Sequence, residues 1–140
     1  MSYTNLLYSV DDGVARITVN RPDKLNALNH VTLTELSAAF DAAKADGAVR
    51  AVVVTGSGEK AFIAGADINE LLSVAGNAAG AASLAAFGQT VFRKLDQLGK
   101  PSVAMINGFA LGGGCELALA CTLRTASTNA KLGLPETSLG

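Results

Sequence analysis

KPSVAMINGFALGGGCELALAC, residues 100–121, is the stretch on which the fold turns. From Val103 to Cys121 it is almost apolar and nearly long enough to cross a bilayer. It is interrupted by Asn107, Glu116 and the glycines 108, 112, 113 and 114. Those residues suit a buried strand over 101–107, a glycine-rich turn over 108–114 and a helix that starts over 115–120.

The same alternation extends outward. Upstream, residues 51–55 are apolar up to Thr55 and read as a strand of a parallel sheet, buried on both faces. Residues 62–67, Phe-Ile-Ala-Gly-Ala-Asp, lead into a predicted helix over 68–74. A flexible break over 76–80 precedes a helix over 83–98, striped by Leu84, Phe87, Val91, Leu95 and Leu98, with Gly88 inside it. Further back, Leu33, Leu36, Phe40 and Ala43 mark a helix after a capping box at Thr32 and Glu35, ending near Asp46-Gly47. Two strands over 6–10 and 14–20 flank the turn Asp11-Asp12-Gly13, and Ala15, Ile17 and Val19 share the more apolar face. Downstream, 123–126 and 130–132 are short strand candidates. No repeat is evident. Strands alternating with helices predict an α/β fold with a largely parallel sheet, whose ligands sit where strand ends meet helix starts.

Composition narrows the function. The 140 residues carry 11 basic and 12 acidic side chains without a basic block, so recognition of nucleic acid by bulk charge is not expected. The start, MSYTNLLYSVDD, lacks the basic and apolar regions of a signal peptide. Cys115 and Cys121 lie six apart without a second metal-ligand group, as buried free thiols of a reducing cytoplasm would. No membrane partner, metal or redox cofactor is expected.

Chemistry concentrates at three places. Glycines 112–114 let backbone approach a ligand closely, and the helix start beside them presents free N–H groups to a negative oxygen. Glu116 follows in an apolar helix start, where a carboxylate is rarely buried without a function; stabilisation by the helix N-terminus is the structural alternative. Residues 64–67 form a second small-residue loop opening a helix, with Asp67 as a plain N-cap in the simplest reading. Glu136, after Pro135, reads by itself as a surface glutamate. The spacing of Gly56-Ser57-Gly58-Glu59-Lys60 fails the P-loop pattern, residues 112–114 fail the dinucleotide fingerprint, and His30 has no G-x-S-x-G partner motif.

Four segments together resemble the successive signatures of the enoyl-CoA hydratase (crotonase) family: NRPDKLNALN (20–29), AFIAGADI (61–68), residues 100–121, and LGLPE (132–136). The resemblance implies a crotonase-type (ClpP/crotonase-like) ββα spiral fold and hydration of 2-enoyl-CoA to 3-hydroxyacyl-CoA. It implies that the backbone N–H groups of Ala66 and Gly113 form an oxyanion hole, and that Glu116 and Glu136, 20 residues apart as in the family, are the acid/base pair. Leu25, Ala27, Ala64, Asp67, Ile68 and Asn69, with Ala66 and Gly113, are expected on segments lining the CoA and acyl pocket. Thr122 and Leu134 depart from the family's common Asp and Gln without removing a catalytic group. The implied partners are an acyl-CoA thioester and copies of the same chain in a trimer or hexamer. Relatives continue further, so residues 1–140 are expected to be the N-terminal portion of a catalytic domain truncated after Gly140, without its helical trimerisation region. Rival expectations are an enoyl-CoA isomerase or other acyl-CoA enzyme of the same fold, and a fragment that binds acyl-CoA or a partner chain without turnover.

Overall fold

A computed structural model describes residues 2–139; Met1, Gly140 and the expectation attached to the chain's end lie outside them. The chain opens with a hairpin of β1 (Leu6–Asp11) and β2 (Val14–Val19). Asp12 (φ 44°) and Gly13 (φ 77°) both take positive φ, as a tight primed turn requires. A single 3-10 turn, Pro22–Lys24, leads to α1 (His30–Ala45). The Asn29 side chain caps α1 by accepting from Thr32 N–H at 2.9 Å. The expected capping box at Thr32 and Glu35 is therefore corrected. Asn29 already fills that role one turn earlier, and the Glu35 carboxylate instead accepts from the backbone N–H groups of Thr4 and Asn5.

Three turns of one topology follow. β3 (Ala51–Gly56) and β4 (Ala61–Ile63) precede α2 (Ile68–Ser73) and α3 (Ala78–Asp96). β5 (Ser102–Ile106) and β6 (Phe109–Leu111) precede α4 (Gly113–Ala120), and β7 (Leu123–Ala126) and β8 (Lys131–Gly133) precede α5 (Glu136–Leu139). Each pair sends its first strand to a five-stranded sheet ordered β1-β2-β3-β5-β7 and its second to a three-stranded sheet ordered β4-β6-β8. All pairings except β1 with β2 are parallel. This is the expected ββα spiral.

The repeat is absent from the sequence pattern because three-residue strands are too short to show a period. For the same reason β6 lies inside the expected glycine turn, and β4 and α5 were not anticipated. The expected break over 76–80 is also corrected: Asn77 caps α3 by accepting from Gly80 N–H, which starts the helix at Ala78.

The core lies between the large sheet and the helices. Ile17, Val19, Val52, Val54, Ala104 and Ile106 from the sheet meet Leu36, Phe40, Val91, Leu95 and Leu117 from the helices, all almost wholly buried. Phe62 and Ile63 of β4 are sealed among them. The apolar segment 103–121 forms β5, β6 and α4, and among the described residues no helix is long and apolar enough to cross a membrane. Both cysteines are buried free thiols, and burial pushes the Cys121 thiol up to about 11.

Two glycines separate a packing demand from a helix-propensity cost. A Cβ on Gly114 would overlap the Ile63 carbonyl and side chain, whereas a Cβ on Gly88, inside α3, would meet nothing. Gly114→Ala should destabilise the chain by about 1–3 kcal/mol or more, since the obstacle is backbone. Gly88→Ala should stabilise it by about 0.5–1 kcal/mol. Urea unfolding midpoints that move in the same direction for both variants would contradict this packing.

Candidate active site

Two backbone segments meet at one cavity. The first follows β4. Gly65 takes φ 111°, a conformation that favours glycine, and turns the chain. Leu28 N–H then donates to the Gly65 carbonyl and Asp67 N–H to the Leu28 carbonyl, each at 2.8 Å. These bonds make Leu28 and Ala66 partners in a parallel bridge. In such a bridge the flanking groups bond across, so the N–H of Ala66 itself points away from the Leu28 backbone.

The second segment follows β6. Gly112 (φ 51°) donates its N–H to the Gly133 carbonyl and accepts from Glu116 N–H, the first turn of α4. Gly113 therefore opens the helix with an N–H that has no intrahelical acceptor. Among the described residues, neither the Ala66 nor the Gly113 N–H has a hydrogen-bond partner.

Ala66, Gly113, Glu116 and Glu136 all line one cavity of about 280 Å³. Its apolar wall comes from Leu28 and Leu33, from Leu71 and Val74 at α2, and from Leu84, Ala85, Gly88 and Phe92 on α3. Gln89 and Glu70 add polar groups to the rim, and Glu70 also accepts from the His30 N–H at the start of α1. One face of α3 thus divides: Val91 and Leu95 enter the core, while Leu84 faces the cavity.

Glu116 stands on the first turn of α4 and Glu136 opens α5. The inference that Glu116 is a buried carboxylate is corrected, because both glutamates are exposed. The apolar residues flanking Glu116 face the core, and helical rotation turns its own side chain to the cavity. Glu136 Oε1 lies so close to Gly112 that a Cβ there would overlap it, which places the carboxylate beside the turn that opens α4.

The other expected pocket residues do not line this cavity. Leu25 lines a separate cleft with Pro22, Asn26, Ser57 and Lys60. Ala27, Ala64, Ile68 and Asn69 do not line the main cavity, and the Ile68 side chain is exposed. Asp67 is occupied internally: it caps α2 by accepting from Asn69 N–H and pairs with Arg21 at 2.9 Å. Sequence reasoning missed Arg21 and Asn26 as structural anchors and did not place the wall formed by Leu28, Gly88 and Phe92. The one available signal was Gly88, a glycine inside an otherwise strong helical stripe.

Comparisons with known proteins agree with the fold. A family model described as enoyl-CoA hydratase/isomerase matches residues 9–140. The chain is 46% identical over 140 residues to a crotonyl-CoA hydratase of Syntrophomonas wolfei and to a short-chain-enoyl-CoA hydratase of Clostridium acetobutylicum, covering all of this chain and 53% of each relative. It therefore spans about half the length of the curated relatives it matches. Among solved structures, an enoyl-CoA hydratase of Bacillus anthracis superposes with a TM-score of 0.92 at 39% identity, over 98% of this chain and 53% of that one. An enoyl-CoA hydratase/carnithine racemase of Magnetospirillum magneticum gives 0.94 at 32% identity, over 99% and 52%.

The Arg21–Asp67 pair has a pH signature. Burial alone would raise the Asp67 carboxyl, but hydrogen bonds from Arg21 and Asn69 and the charges of Arg21 and Lys24 hold it below its ordinary value of 3.8. A carboxyl depressed in the folded state stabilises the fold fully above the unfolded value and loses that contribution as pH falls through the folded one. The gap in melting temperature between the wild type and Asp67→Asn should thus be widest above about pH 5 and narrow below about pH 4. A gap that stays constant down to pH 2 in thermal melts would refute the shift.

Proposed function

This chain belongs to the enoyl-CoA hydratase/isomerase family, and we propose that it carries the thioester-binding and acid/base groups of an enzyme that hydrates 2-enoyl-CoA to 3-hydroxyacyl-CoA. The observation that carries the reading is one cavity lined by two residues with unpartnered N–H groups, Ala66 and Gly113, together with the carboxylates of Glu116 and Glu136.

The chemistry needs those groups. Water adds to C3 of the enoyl thioester, the double-bond electrons move toward the thioester, and negative charge collects on its carbonyl oxygen. Two N–H groups aimed at that oxygen lower the barrier by about 3–4 kcal/mol each. One carboxylate takes the proton that water loses, and a carboxylic acid delivers a proton to C2. Glu116 and Glu136 divide these two roles between them. The apolar wall of α3 takes the acyl chain and keeps bulk water from the enolate. The steps are addition of water to C3, proton transfer and carbonyl polarisation, with no net oxidation or reduction, so the reading requires no metal or redox cofactor. A homo-trimer or hexamer, a cytoplasmic location and a place in fatty-acid β-oxidation belong to the same proposal.

Glu116→Gln or Glu136→Gln should slow crotonyl-CoA hydration by roughly 10²–10⁴-fold, followed by loss of the conjugated enoyl absorbance. Affinity for butyryl-CoA, which cannot react, should change little. Turnover close to wild type in either variant overturns the assignment. Wild-type protein that binds butyryl-CoA yet leaves crotonyl-CoA untouched would instead support a chain that binds acyl-CoA without turnover.

A further inference from the structure

We infer that Arg21 is a positioning residue for the site: its guanidinium, held between the Ala27 carbonyl and the Asp67 carboxylate, fixes the direction of the Ala66 N–H. The inference rests on the reading of the Ala66 and Gly113 amides as donors to a thioester oxygen.

The Ala66 peptide is held through the Gly65 carbonyl, which shares its plane with the Ala66 N–H and accepts from Leu28 N–H, so its aim follows that of the Ala27–Leu28 peptide. It follows Gly65, whose backbone is permissive and which takes φ 111°. It precedes α2, a helix of only six residues with no buried side chain. The aim of its N–H therefore depends on what grips the peptide on either side. On one side the Leu28 bridge binds Gly65 and Asp67. On the other, Arg21 Nη2 donates to Asp67 Oδ2 at 2.9 Å, while Nη1 donates to the Ala27 carbonyl. One planar cation thus ties the segment before Leu28 to the residue after Ala66, with the fixed fork geometry that only arginine offers.

Arg21 is itself anchored. Its N–H donates to Asn26 Oδ1 at 2.9 Å, and the wholly buried Asn26 side chain donates to the Ser57 and Ala61 carbonyls. Asn26 and Leu25 both sit at positive φ, conformations that such contacts must hold in place. The chain of contacts runs from the end of β3 and the start of β4, through Asn26 and Arg21, to Asp67. The pair is largely shielded, with side-chain exposures of 14% and 12%, so it acts where water screens little. None of these side chains lines the cavity, which makes Arg21 a residue that acts through Ala66.

The test reads the carbonyl of a bound thioester. Butyryl-CoA labelled with carbon-13 at the thioester carbon is bound to the 140-residue chain, and its carbonyl stretch is compared with the free ligand by difference infrared spectroscopy. In the wild type, two aimed N–H groups shift the band to lower frequency. Arg21→Met should lose about half or more of that downshift, since one of the two donors is misaimed. Its dissociation constant for butyryl-CoA should stay within about threefold, because the rest of the cavity is unchanged. Arg21→Lys keeps the charge but not the fork, and should restore only part of the shift.

Arg21→Met strands the Asp67 charge and can fail to fold on that ground alone. The double variant Arg21→Met, Asp67→Leu removes both charges together and avoids the stranded carboxylate. It should melt cooperatively and still lack the downshift. A folded variant, single or double, that keeps the full downshift overturns the role of Arg21. No downshift in the wild type itself overturns the oxyanion reading, and the inference with it.

Discussion

Backbone lies directly against backbone all around β4, with no room for a side chain between them. Gly56 at the end of β3 touches the carbonyls of Ala61 and Phe62, Gly108 before β6 touches Lys60 and Ala61, and Gly114 on α4 touches Ile63. A Cβ at any of the three would overlap a main-chain atom. Such contact brings strand, turn and helix closer than side-chain packing permits, and it is what sets the start of α4 beside the loop after β4. Of the carbonyls in those contacts, Ala61 accepts from the side chains of Asn107 and Asn26, which also donate to the neighbouring Gly56, Ser57 and Gly58 carbonyls, and Lys60 accepts from Phe109 N–H. Every buried side-chain polar atom among the described residues has a partner, as a core with this much buried backbone demands.

The site follows from that joint. Because α4 begins where β6 ends and presses on β4, Gly113 and Ala66 line the same cavity, each with an N–H that no described residue accepts. Both N–H groups belong to the main chain, so their chemistry is independent of side-chain identity at those positions. Side chains supply the remainder: an apolar wall from α3, two carboxylates at the starts of α4 and α5, and a charged clamp behind Ala66. The spiral delivers these parts in order, since each strand pair leads into a helix.

Much of the fold was legible from local pattern. The hairpin followed from Asp-Gly, the core faces of β2 and α1 from their periods of two and about three and a half, and the parallel strands β3 and β5 from continuous apolar runs. What was missed has two causes. β4, β6 and α5 are too short to carry a period, and both helix starts were set by an Asn cap that local reading displaced. At the site, Glu116 and Glu136 were visible only as glutamates in quoted motifs, and the burial expected for Glu116 failed. A polar residue flanked by apolar ones on a helix need not share their environment, because each position turns by about 100° from the last.

The sequence by itself determined the apolar runs, the turns and the order of the motifs, because each depends on neighbours along the chain. Only the tertiary structure decided that Ala66 and Gly113 open onto one cavity, that Asp67 faces Arg21 instead of that cavity, and that α3 gives one edge to the core and another to the site. These depend on residues tens of positions apart, brought together by close contact around β4. The direction of an N–H or a carboxylate is fixed by that three-dimensional packing, and no local preference of the chain encodes it.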